Sequence, residues 1–419
     1  MFETLTSPKR ILLVEPPYFK IFGYKRWHYP IGLTLIATYL KEQGHDVIVY
    51  DADRPTSDCV EYSRSEAGKN YHRYSDALDN LEHPVWKEVI SFIKNCKPDI
   101  VGISASVSAK IESADIIAKM IKELYGNKVI TVLGGVHVDS MLGMYPDYDF
   151  GKYYDFVPRN VHSLIEIKPD KKLLVDYDKY SPQNFCSIMT SMGCPNACTF
   201  CCYSTDRRIR YRSVESIREE LIELKQNFGV SNTVYFIDDN FIANTKRFIE
   251  ITDIIKELGM KFKAGGRVMD LTEEKIAKFI QNGGERIYVG VESGSQRIRD
   301  LIKKRLKESE LIKRTGWLHE AGIPWSAFYM VGFPFETLDD LKMTKESILK
   351  IQPTFVSINR FMPYPGTDIF KQYYLDADIK FRDLFQTNLK PGVLLSDEIE
   401  DYISELIEFV DEYNKSKLL

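Results

Sequence analysis

The chain has 419 residues, 44% of them hydrophobic and 28% charged, with a formal net charge of −4. That length predicts two or three domains with ordinary cores, and the composition is globular, not disordered or fibrous. The slight acidity provides no basic face for nucleic acid, so no nucleic-acid partner is expected. No apolar run is long enough to span a bilayer, and Met1 to Arg10 lack the charged-then-apolar order of a signal peptide. Seven cysteines, three of them within eight positions, fit a reducing compartment better than a disulfide framework, so a cytoplasmic location is expected.

From Lys9 the sequence reads as alternating short strands and helices. Arg10 to Glu15 is a continuous apolar strand, and Ile31 to Gln43 has helical periodicity closed by Gly44. His45–Asp51, Asp99–Ser104 and Lys128–Gly135 supply further strands, with a helix from about Ser108 to Tyr125. Val/Ile-rich strands separated by helices predict a parallel sheet covered on both faces, a Rossmann-like arrangement. The polar stretch from Arg54 to about Glu82 reads as a surface insertion, and Asp170 to Asn184 as a connection.

A second α/β series starts at Ser187–Met192. Five more strands are predicted at Thr233–Ile237, Lys261–Ala264, Arg286–Val291, Trp325–Met330 and Thr354–Phe361. Helices are predicted to begin near Ser213, Asn244, Thr272, Ser309 and Thr337, with good caps at Ser213, Thr272 and Thr337. Six βα repeats predict an open, partial (β/α)6 barrel with its chemistry at the carboxyl ends of the strands. The expected division is 1–180, 181–380 and a helical extension, 381–419, in which Ile399, Ile403, Leu406 and Ile407 share one side of an acidic helix.

The most specific signal is Cys194-Pro-Asn-Ala-Cys198-Thr-Phe-Cys201, a C-x3-C-x2-C run directly after the first strand of this series. Three thiolates at this spacing can hold three irons of a [4Fe-4S] cubane and leave the fourth open to a small chelating molecule, whereas electron-transfer clusters normally take four cysteines. Structural zinc is the competing reading, but Cys59, Cys96, Cys186 and Cys202 form no second C-x2-C pair. Cys202 adjoins a ligand and is not expected to be one.

The run, with Phe200 before its third cysteine, resembles the signature of the radical S-adenosylmethionine (SAM) enzymes. Four later segments, each at the end of a predicted strand, resemble the same superfamily. Phe236-Ile-Asp238-Asp239-Asn-Phe241 stands where these enzymes bind the SAM amino group, and its form is similar to the branch with an N-terminal cobalamin-binding domain. Gly290-Val-Glu292-Ser293-Gly-Ser295 resembles the G-x-E-S-G-S segment of that branch and implies Glu292 near SAM. Val331-Gly332-Phe-Pro-Phe-Glu-Thr337 resembles G-x-P-x-E-T, with Gly332 beside the adenine, and Phe361–Thr367 resembles a closing P-x-P-G-T motif. Arg267 is a candidate partner for the SAM carboxylate, for Glu292 or for Asp239. The resemblance covers about Ser187 to Phe370. It implies cleavage of SAM to methionine and a 5′-deoxyadenosyl radical, a small-molecule substrate, and an electron donor such as flavodoxin or ferredoxin.

The same branch implies cobalamin on the first domain. Tyr29–Gly32, Val101–Ala105 and Leu133–His137 match its pattern, with Ser104, Ser106, Gly134 and Gly135 as candidate contacts. Two features depart from it: there is no Asp-x-His-x-x-Gly motif, and Phe156–Asn160 replaces the usual Gly-Glu-Gly-Glu element. The expected activity is therefore radical methyl transfer from methylcobalamin. A cobalamin-free radical cyclase, mutase or decarboxylase is the alternative, and an iron-sulfur carrier the non-enzyme reading.

Overall fold

The computed structural model describes residues 7–60, 70–158, 162–202, 208–230, 232–384 and 395–418. The chain divides into two compact units, one of residues 1–185, 364–366 and 378–391, the other of 186–363, 367–377 and 392–419. The segment expected as a separate extension is thus shared between them. Among the described residues no helix is long and apolar enough to cross a membrane.

In the first unit β1 (Arg10–Glu15), β2 (Asp46–Asp51), β3 (Ile100–Ser104) and β4 (Ile130–Gly134) form a parallel sheet in the order β2-β1-β3-β4. Phe156 adds one parallel bridge to Val132, a fifth strand reduced to a single pairing. Arg159 and Asn160 lie outside the described residues. Helices Tyr71–Asp79 and Pro84–Cys96 stand where only a polar insertion was expected at the first and no helix at the second. Their apolar residues are sparse but correctly spaced: Tyr74, Ala77 and Leu78 are buried, and buried Trp86 donates its indole N–H to the Ala77 carbonyl at 2.7 Å. Pro84 sits in the first turn, where its missing N–H costs nothing.

The second unit holds β5 (Ser187–Ile188), β8 (Thr233–Phe236), β9 (Lys261–Arg267), β10 (Gly284–Glu292), β11 (Trp325–Val331) and β12 (Phe355–Arg360), all parallel, ordered β12-β11-β10-β9-β8-β5. Between β5 and β8, β6 (Ser191–Met192) pairs antiparallel with β7 (Arg210–Tyr211). The single strand expected over 187–192 breaks because the Asp238 carboxylate accepts the N–H groups of Thr190 and Ser191, taking them out of the ladder. Ser213, Asn244, Thr272 and Thr337 cap helices through their side chains, the last in a capping box with Asp340. The helix expected near Ser309 starts at Glu308, and Ser295 caps an additional short helix, Gln296–Leu301.

Alternation along the strands separates two faces. Val234, Phe236, Phe262, Ala264, Ile287, Val289, Ala327 and Tyr329 are buried on the helix side. The C-terminal helix Asp397–Leu418 seals β12 through Asn414, whose amide oxygen accepts from Val356 N–H (2.8 Å) and whose NH2 donates to Val356 O (2.9 Å).

Candidate active site

The cysteine loop leaves β6 through Gly193, whose φ is +92°. A Cβ there would lie 2.3 Å from the Arg208 carbonyl oxygen, so only glycine fits. Its N–H donates to Asp239 Oδ2 at 2.8 Å. Cys194, Cys198 and Cys201 are in no disulfide, Cys198 buried and the others half-buried. Asn196 donates its amide N–H to Cys194 Sγ at 3.3 Å, and Cys201 N–H closes a turn onto Cys198 O at 3.1 Å. Thr199 ties the loop down, its N–H to Ile302 O and its carbonyl to Ile369 N–H, both at 3.1 Å. Among the described residues no three His, Cys, Asp or Glu side chains converge as a single ion requires. A cubane spreads its thiolates over different irons.

Charged groups from the neighbouring strand ends gather at this loop. Glu292, the last residue of β10, has φ +72° after a register shift from Gly290, and its carboxylate meets Lys304 Nζ at 2.5 Å. A Cβ at Gly290 would fall 2.3 Å from Glu292 Oε1 and 2.8 Å from Lys304 Nζ, so the ends of both side chains would have to shift. Arg267, at the end of β9, donates to Asn196 Oδ1 and, at 2.5 Å, to the Lys304 carbonyl. It pairs with neither Glu292 nor Asp239. Burial pushes the Cys198 thiol up, while the charges of Lys304 and Arg267 pull it down. The cysteine loop, Arg267, Glu292 and Lys304 therefore form one electrostatic site.

The remaining candidates divide by what they touch. Asp238 is buried and already accepts from the hydroxyls of Thr190 and Ser191 (3.1 and 2.7 Å) as well as their N–H groups; burial raises its carboxyl to about 6. It holds the strand break. Asp239 is exposed, and Asn240 is buried with its NH2 on Asp270 at 2.6 Å. Ser293 packs in the turn after β10, accepting Ser295 N–H at 3.1 Å beside Thr344. Phe200 lies 6.4 Å from the Phe333 ring. Gly332 has φ +89°, and its N–H donates to Glu336 Oε2 at 2.5 Å, but Leu395 and Ile403 occupy the side a Cβ would face (3.5 and 3.6 Å). Its glycine answers the backbone angle. Lys304, Asn196 and Glu336 were missed: a lysine between two positive-φ residues, Lys303 and Arg305, reads in sequence as a solvated charge run.

The residues fit the implied groups. Three thiols outside any disulfide, with an amide donor on one sulfur and two cations nearby, suit an anionic cluster. Asn240 Oδ1, Arg267 Nε and Thr199 Oγ1 are buried without a hydrogen-bond partner among the described residues, which suits a polar ligand such as SAM.

In the first unit Gly134 ends β4 with nothing within 4 Å of an added Cβ, an open cradle at the carboxyl edge of the sheet. Gly135 is different: at φ +116° a Cβ would strike Ala105 O at 2.5 Å, so its glycine is needed for packing. Ser104 is buried, and Ser106 donates to Glu15 Oε1 at 3.0 Å. His137, buried, bonds Ser108 Oγ through Nδ1 at 2.9 Å and packs edge-on to Phe381; burial lowers it to about 4. Its Nε2 is buried with no hydrogen-bond partner among the described residues. The same edge carries a buried ionic cluster that the sequence did not reveal, Lys110 Nζ lying 2.5 Å from Glu15 and 3.1 Å from Asp53.

Residues 188–348 match the model of the Radical SAM superfamily. The barrel unit is a radical SAM domain. Among similar proteins, an uncharacterized methyltransferase, PH0819, of Pyrococcus horikoshii is 27% identical over 93% of this chain and 89% of its own length. The cytidylyl-2-hydroxyethylphosphonate methyltransferase of Streptomyces wedmorensis is 21% identical over 97% of this chain and 89% of its own. The solved structure of OxsB, a cobalamin-dependent SAM radical enzyme with aqua-cobalamin bound, matches the fold with a TM-score of 0.64 at 14% identity, covering 98% of this chain and 72% of that one. The radical SAM domain and the fold expected from sequence are thus both present, and the domain implies a [4Fe-4S] cluster and SAM.

Proposed function

We propose that this protein is a cobalamin-dependent radical SAM methyltransferase acting on carbon of a small molecule. The observation that carries the reading is the three-cysteine loop joined to Arg267, Glu292 and Lys304. When bound, a [4Fe-4S] cluster and SAM supply a hydrogen-abstracting 5′-deoxyadenosyl radical, and methylcobalamin supplies the methyl group. Cys194, Cys198 and Cys201 would hold three irons. Asn240 and Arg267 have the unsatisfied buried atoms to orient SAM, with Asp239 and Glu292 as carboxylates within the same site. Lys304 and Arg267 offset the negative charge that three thiolates bring. The buried surroundings of Cys198 keep water from the reacting centre.

Cobalamin is supported by the fold likeness to OxsB, which was solved with aqua-cobalamin bound, and by the flavodoxin-like strand order, whose ligands lie at the carboxyl edge. Gly134 offers the room there. A one-electron donor such as flavodoxin or ferredoxin in a reducing cytoplasm completes the system. The test is gel filtration of anaerobically reconstituted protein with excess methylcobalamin. Retained cobalt in wild type, lost in Gly134→Val with iron content kept, is the expected result. Wild type that carries iron but no cobalt leaves the cobalamin-free radical enzyme in its place.

A further inference from the structure

We propose that the helix-free face of the barrel sheet is the substrate pocket, and that it selects a flat, conjugated molecule bearing an anionic group at the end remote from the cysteine loop. The inference rests on the radical SAM reading and specifies its substrate class.

The face is built in three levels along the strands. At the carboxyl end stand Arg267 and the Glu292–Lys304 pair. In the middle, Tyr235, Tyr288 and Phe328 form an aromatic floor: the Tyr235 and Tyr288 rings meet at 5.4 Å and 65°, and Tyr288 stacks on Phe328 at 5.8 Å and 12°. All three are half-buried. Gly265 lies opposite Tyr288 in the register of β9 and β10, and β9 runs between the strands of the two tyrosines. No positive φ requires glycine there, and an added Cβ would meet only Tyr288 O, at 3.9 Å. A closed barrel fills such inward positions with side chains. Here the space is left open beside the rings, and aromatic faces favour a flat partner in it.

The third level lies toward the amino ends. Lys263 and Arg286 are register partners on the same face, both half-buried. Arg286 donates to Ser326 Oγ at 3.3 Å, and the nearby Glu285 is engaged by Lys261. Among the described residues neither Lys263 nor Arg286 is in a salt bridge, and Glu285 is shared between Lys261 and Thr233 Oγ1, so the cluster keeps a net positive charge. An anionic group on the substrate would complete them. Four residues of strand separate Arg286 from Gly290, about 13 Å. An anion held at Arg286 would therefore lie well down the strands from the cysteine loop, with the conjugated body between them on the floor.

Binding to anaerobically reconstituted protein is measured by equilibrium dialysis with naphthalene-2-carboxylate and the neutral naphthalene-2-methanol. Wild type is expected to prefer the acid by about tenfold or more, the scale of a charge-assisted contact. Lys263→Met with Arg286→Met should remove the preference, and Gly265→Val should weaken both probes by about tenfold, one lost good contact. Gly265→Ala, with 3.9 Å of clearance, is the milder variant if valine prevents folding. Equal binding of acid and alcohol by wild type, or a folded Gly265→Val that binds as wild type does, overturns the proposal. Substrate-free SAM cleavage by wild type is assayed in parallel. Cleavage without acid preference removes the pocket and leaves the function; acid preference without cleavage does the reverse.

Discussion

Replacing Lys304 by Met should destabilise the barrel strongly, because Glu292 would be left buried without its counter-charge. The pair is 2.5 Å apart, with side chains only 7% and 11% exposed, so solvent screens it little. Breaking a buried pair by removing one partner costs about 3–5 kcal/mol. The lower end applies, because the Arg267 guanidinium remains in the same site. About 3 kcal/mol corresponds to a Tm lower by about 6–12 °C in a domain of this size. Thermal unfolding of the anaerobic protein reads this directly. Adding Glu292→Gln to Lys304→Met should recover part of the loss, since the amide needs no counter-charge, and the double-mutant cycle should give a coupling of about 1–3 kcal/mol. A Lys304→Met protein within about 0.5 kcal/mol of wild type, the ordinary range for surface changes, would refute the reasoning.

Burial holds the Glu336 carboxyl up at about 8, against 4.5 for the free group. Between those values the folded chain keeps a proton that the unfolded chain has released, so stability falls as pH rises through that window. Glu336→Gln should therefore raise Tm relative to wild type at pH 8 and change it little at pH 4.5; an identical offset at both would contradict the shift. Ala at Cys194, Cys198 or Cys201 should abolish bound iron, whereas Cys202→Ala should keep it, as measured by anaerobic iron analysis. Asn414→Ala should cost about 1–2 kcal/mol in urea unfolding through two lost bonds to Val356. Gly135→Ala should destabilise the first unit even without cobalamin, because its Cβ meets the Ala105 backbone.

Much of the fold was legible because periodicity reports burial: six barrel strands and the helices capped by Ser213, Thr272 and Thr337 stand where apolar runs and cap residues placed them. Helices Tyr71–Asp79 and Pro84–Cys96 were not read. The first hides three buried residues among polar ones, and the second follows a stretch that reads as loop. The cysteine loop was legible because thiolate spacing is local. Lys304 and Asn196 were not, since their roles depend on chain brought near from β9 and β10. At Gly135, Gly332 and Ser293 the motif pointed to a ligand, while the immediate geometry is answered by backbone angle and packing. Asp238 shows the same limit: its carboxylate is spent on breaking a strand.

The most direct test of the radical reading is to reduce the reconstituted protein anaerobically and add SAM. Methionine and 5′-deoxyadenosine should appear together, in equal amounts and slowly even without substrate, and none should form with Cys198→Ala. A wild-type protein with a full, reducible cluster that leaves SAM intact would contradict it.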